Sequence, residues 1–173
     1  MINELTKLMG SVKVHSENVR EVLEPISKLT FTEPYEQFLA TQTAFIERDI
    51  TALREQEETI INIFDNRLAE YVFYLLHFPD FMELSSYSYD KLRPQIERIM
   101  TVSEKKSFYL SGRLETIEQR IKTDTTRKRT FWPYFAKHMY PYHQQWHADY
   151  GATIMETEGL SCKEIAEKIY SHL

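Results

Sequence analysis

YEQFLATQTAFIERDITALREQEETIINIFDNRLAEYVFYLLHF, residues 35–78, decides the fold class. The stretch holds neither glycine nor proline, and Leu39, Ile46, Leu53 and Ile60 recur every seven residues. Phe64, Leu68, Tyr71/Val72 and Leu75 then continue the apolar stripe. A repeat of that length is the mark of a helix with one buried seam. Thr32-Glu33-Pro34 in front of it reads as a cap with proline in the first turn. Read as continuous, the helix exceeds 40 residues, roughly 60 Å at the standard rise. A break near Asp65-Asn66 is the alternative.

The flanking segments read the same way. Upstream, Leu5, Val12, Val19 and Ile26 fall seven apart, with Leu8/Met9 and Val22/Leu23 between them. Pro25 limits that helix to residues 3–24. Downstream of Pro79, with Ser88 or Asp90 as cap, a third helix is expected to run to Lys122. It follows Leu92, Ile96, Ile99, Ser103, Lys106/Ser107, Leu110, Leu114, Ile117 and Ile121. Pro94 sits near its start, and Gly112 costs about 1 kcal/mol against alanine without ending the pattern.

The last fifty residues differ. Arg127-Lys128-Arg129-Thr130-Phe131-Trp132-Pro133-Tyr134-Phe135 opens an aromatic-rich stretch with Tyr140, Tyr142, Trp146 and Tyr150. Pro133 and Pro141 restrict it to short helices over 133–139 and 141–157. Gly159 reads as a stop, and Ser161 with Glu164 three residues on reads as a capping box. The expected fold is therefore all-α, a long-helix bundle or antiparallel coiled coil followed by a compact aromatic-rich helical region. Its division is 1–122, an elongated dimerisation region, and 123–173, a basic and aromatic C-terminal region. Seams this long on few helices leave apolar surface to cover, so a homodimer is expected.

Composition narrows the function classes. At 42% hydrophobic and 27% charged residues the chain is that of a folded protein. A single cysteine, Cys162, excludes a disulfide scaffold. No run approaches a membrane span, and the opening MINELTKLMGSVKVH lacks a secretory signal, so a cytoplasmic location is expected. The net charge of −5 is uneven: residues 1–100 carry 17 acidic against 10 basic groups, whereas residues 101–155 carry 9 basic against 5 acidic. An acidic front offers a face to a protein partner, as in an adaptor, inhibitor or immunity-type protein, and a basic back suits an anionic partner. There is no phosphate loop, nucleophile elbow or CxxC pair, so a non-enzymatic role without a cofactor is expected.

Two sets of residues carry candidate chemistry. Arg120, Lys122, Arg127, Lys128, Arg129 and Lys137 are phosphate-contact candidates for DNA, with Trp132, Tyr134 and Phe135 placed to stack on unpaired bases. His143 and His147, four apart on one helical face, have ligand spacing for a transition metal, with His138 or His77 to complete the set and Asp149 or Glu83 as a carboxylate.

Residues 154–169, IMETEGLSCKEIAEKI, resemble the opening half of helix-turn-helix DNA-binding domains, with a Gly-Leu-Ser turn and a Glu-Ile-Ala signature. The resemblance implies a DNA-associated regulatory or accessory protein. The recognition helix would follow Ile169, where four residues remain, so sequence-specific reading by this unit is not expected. Leu75-Leu76-His77-Phe78-Pro79-Asp80 together with the later HxxxH pair resembles the three-histidine metal bundles of the DinB-like family. That resemblance implies a metal-binding helical bundle.

Overall fold

Short strands interrupt each of the helical seams. The structure is a computed structural model that describes residues 1–15, 19–55, 61–65, 68–84, 89–101, 106–125 and 129–173. It is mostly helical, with two small pairs of parallel strands. Residues 3–24 do not form one helix: Ile2–Met9 (α1) is followed by strand Val12–His15 (β1) and helix Val19–Ile26 (α2). Gly10, at φ +76°, turns the chain out of α1, a conformation that glycine adopts without penalty. Val12 and Val14 then supply the branched alternation that a strand favours. Pro25 lies inside α2 rather than beyond it.

The helix expected over residues 35–78 is likewise divided. Pro34–Arg54 (α3) and Leu68–Phe81 (α4) flank strand Ile61–Phe64 (β2), where isoleucines alternate with asparagine. Glu33 and Glu36 form the capping box that starts α3. Asn66 of the expected break lies outside the described residues. The third seam divides into Tyr89–Met100 (α5), Phe108–Ser111 (β3) and Leu114–Thr123 (α6). Ser88 and Ser103 lie outside the described residues.

The chain forms two units, residues 11–104 and residues 1–10 with 105–173. In the first, β1 and β2 pair in parallel, with Val12 opposite Ile61 and His15 opposite Phe64. Parallel strands need a crossover, which α2 and α3 supply. The core comes from α3 (Tyr35, Phe38, Phe45, Ile46, Ile50), α4 and α5 (Leu92, Ile99). Helix α4 buries Leu68, Ala69, Tyr71, Val72, Phe73 and Leu75, so it is apolar on several faces, as a central helix must be. Within this core Asp49 is buried, accepting from Arg48 Nε at 2.7 Å and Tyr71 Oη at 2.6 Å.

The second unit joins the two ends of the chain. Helix α1 packs on Cys162–Tyr170 (α9), with Leu5, Ile165, Ala166 and Ile169 buried. Ser161 Oγ accepts from the Glu164 N–H while the Glu164 carboxylate accepts from the Ser161 N–H, completing the expected capping box. Strand β3 pairs in parallel with Thr153–Glu156 (β4), Tyr109 standing opposite Ile154. The helix expected over 141–157 ends at Asp149 instead. Gly151 takes φ +78°, and the β-branched pair Thr153-Ile154 then enters the strand. Among the described residues no helix is long and apolar enough to cross a membrane.

Candidate metal centre on helix α8

Between β3 and β4 the crossover ends in one helical run: Trp132–Tyr134 (α7), a π-helical turn at Phe135–Met139, and Tyr140–Asp149 (α8). Pro141 explains the wide turn. Lacking an N–H, it cannot bond to the carbonyl four residues back. The Tyr140 N–H reaches instead to Phe135 O, five residues back. Such π turns inside helices recur at functional sites.

Helix α8 is anchored over β3. Ser111 Oγ donates to Gln144 Oε1 at 2.7 Å, and Thr157 Oγ1 donates to the Ser111 carbonyl at 2.7 Å. The Tyr140 hydroxyl donates to the Gly112 carbonyl, and burial pushes that phenol above its ordinary range.

On the inner face of α8, His143 and His147 are both buried, at 8% and 4% exposure. Their Nε2 atoms face each other at 3.3 Å, with the ring planes at 87°. Tyr109 of β3 completes the cluster. Its hydroxyl lies 3.0 Å from His143 Nδ1, and its ring stacks on His147 at 4.9 Å and 25°. The Phe135 ring meets His143 edge-on at 5.1 Å. Two imidazole nitrogens bound at 2.0–2.1 Å to a tetrahedral ion stand about 3.3 Å apart. An N–H donor usually holds its acceptor closer, at about 2.9–3.0 Å. The observed separation therefore matches a ligand edge.

His138, in the π turn, is exposed and lies against Tyr134 at 4.7 Å. His77, on α4 of the other unit, lies against Phe73 at 4.5 Å. Asp149 is exposed and accepts from Gln145 Nε2 at 2.7 Å. Glu83 lies just past α4, at φ 51°. Tyr109 was not among the expected site residues. It lies 34 positions from His143, and nothing in its local sequence marks it.

Arg120 and Lys122 occupy the last turn of α6, both exposed, and among the described residues neither has an ion-pair partner. Arg129 is paired with Asp124 at 2.8 Å. Arg127 and Lys128 lie outside the described residues. Lys137 is exposed and lines a groove of about 390 Å³ with Leu114, Glu118, Trp132, Pro133 and Ala136. Of the aromatics expected to stack on bases, Tyr134 stacks on Phe131, and Phe135 meets Phe131 and Trp132 at a tilt and Tyr140 edge-on. No protein-family model, curated protein or solved structure matches the chain.

Proposed function

We propose that this protein binds a divalent transition-metal ion of the zinc class through Nε2 of His143 and Nε2 of His147. The observation that carries the reading is the 3.3 Å separation of these two buried nitrogens. Imidazole suits zinc, copper, nickel and iron. Tyr109 against His143 Nδ1 has the form of the outer partner that metal-bound histidines usually possess. The ion's remaining positions go to water or to donors beyond this pair.

The test is a zinc titration of tag-free protein against a chromogenic chelator. One equivalent is expected to bind, with affinity lowered at least a hundredfold in both His143→Ala and His147→Ala. His138→Ala, an exposed position, is expected to bind as wild type. Zinc uptake that survives both α8 substitutions refutes the reading.

A second reading has its own observation. Trp132 and Lys137 share one groove with α6, whose last turn presents Arg120 and Lys122. This supports contact with nucleic acid, the lysines and arginine on phosphates and the indole on a base. Fluorescence anisotropy with duplex and single-stranded DNA across a salt series tests it. In Arg120→Ala/Lys122→Ala/Lys137→Ala the slope of log K against log salt is expected to flatten by about 0.9 for each duplex phosphate no longer neutralised. An unchanged slope removes it.

Self-association of the helical region is proposed alongside either reading. Val19 and Leu23, one turn apart on α2, are 42% and 41% exposed, as a helix seam awaiting a second copy would be. Sedimentation of wild type against Val19→Glu/Leu23→Glu decides it.

A further inference from the structure

Resting on the nucleic-acid reading, we propose that the groove between α6 and the α7 run takes one unpaired guanine nucleotide. Glu118 is the residue that selects the base.

The groove holds about 390 Å³, near the lower end of the roughly 300–1,000 Å³ that small-ligand sites span. That space suits one nucleotide rather than a duplex. Its lining divides by chemistry: Leu114, Trp132, Pro133 and Ala136 are apolar, while Glu118 and Lys137 bring opposite charges. Glu118 is half-buried on α6 and Lys137 is exposed in the π turn. Among the described residues neither charged group has a hydrogen-bond or ion-pair partner. Lys122, exposed, stands four positions beyond Glu118, one turn on along the same helical face.

A surface that only gripped phosphates would gain nothing from a carboxylate, which repels them. An ionised carboxylate accepts hydrogen bonds and donates none, so Glu118 favours a ring edge that carries donors. Guanine presents two adjacent donors, N1–H and the N2 amino group, which match the two carboxylate oxygens. Adenine and cytosine each offer one amino group beside an unprotonated ring nitrogen. Thymine sets its single N–H between two carbonyls, which the carboxylate repels. In a duplex these edges face the partner base, so this reading requires an unpaired strand. The Trp132 indole supplies the stacking surface, and Lys137 and Lys122 supply the phosphate contacts.

Fluorescence anisotropy at low salt tests the assignment with short labelled oligo(dT) strands, unmodified or carrying one central dG, dI, dA or dC. Wild type is expected to bind the dG strand about tenfold more tightly than oligo(dT), the scale of one two-bond base contact. Inosine keeps N1–H but lacks the 2-amino group, so the dI strand is expected between the two. Glu118→Gln loses the paired acceptors, and the dG preference is expected to fall to about threefold or less. Glu115→Gln removes the same charge from an exposed position on α6 outside the groove lining, and is expected to keep the preference. This separates base reading from a general loss of negative charge. If wild type binds the strands but ranks another base first or none, or if Glu118→Gln keeps the full dG preference, the role of Glu118 is overturned and phosphate contact stands. If wild type binds none of the strands, this inference and the nucleic-acid reading fall together.

Discussion

Replacing Asp49 with alanine should destabilise the 11–104 unit by about 3 kcal/mol. Asp49 is buried on α3, with one carboxylate oxygen taken by Arg48 Nε at 2.7 Å and the other by Tyr71 Oη at 2.6 Å. Breaking a buried ion pair by removing one partner costs about 3–5 kcal/mol. The Arg48 side chain is 26% exposed, so water re-solvates part of the guanidinium and places its share near the bottom of that range. The Tyr71 hydroxyl, on a residue only 2% exposed, loses a charged acceptor, worth about 1.5–3 kcal/mol. The two effects share one carboxylate and do not add fully. Asp49→Asn keeps the shape and one acceptor oxygen, so about 1–2 kcal/mol is expected. Both tryptophans, Trp132 and Trp146, belong to the other unit. The assay must therefore be hydrogen exchange at α3 and α4 amides under urea, which reports local stability where the network sits. An Asp49→Ala variant within about 1 kcal/mol of wild type would refute the assignment of this network as part of the fold's stability.

Glu158 gives the pH dependence. Its carboxylate accepts from Arg113 Nη2 at 2.9 Å and Thr116 Oγ1 at 2.7 Å at the start of α6, and these bonds, Arg113's first, hold its pKa down at about 2. A folded-state pKa lowered from 4.5 to about 2 adds stability that is complete above the ordinary value and disappears as pH falls towards 2. Acid titrations of Tm should therefore show a slope between those limits that Glu158→Gln reduces. Ala166 is 0% exposed on α9, which packs on α1, so Ala166→Leu should overpack that interface and cost about 1–3 kcal/mol in urea denaturation followed by tryptophan fluorescence.

Helix content and the starts of α3 and α9 were legible because their causes are local. Glu33 with Glu36 and Ser161 with Glu164 each sit three residues apart, within reach of any reading of neighbouring positions. The strands were not legible. Val12, Val14, Ile61 and Ile63 are branched residues that suit a strand, yet Val12 also falls on a seven-residue repeat. What decides between the two is the partner: Val12 meets Ile61 and Phe108 meets Thr153. Each pairing spans more than forty residues, and four-residue strands have too little pattern of their own to outvote the helical period around them. The contact of α1 with α9, which joins the two ends of the sequence, is non-local in the same way.

The candidate site divides along the same line. The four-residue spacing of His143 and His147 is a local fact, and a helix turns it directly into two rings on one face. Their burial follows from the strand pair that α8 crosses, which the sequence conceals. Tyr109 follows from it as well, because position 109 lies beside α8 only once Phe108–Ser111 is a strand rather than a stretch of helix. A single misassigned element thus hides both the outer partner of the site and the reason its two rings are buried. The consequence runs forward too: a substitution that weakens β3 against β4, far from either ring, should loosen Tyr109 from His143 and lower metal affinity without touching a ligand. Thr153→Pro does this most directly, since proline removes the N–H that donates to the Ser107 carbonyl at 2.8 Å. Retention of wild-type zinc affinity in a folded Thr153→Pro protein would break the link between the strand pair and the centre.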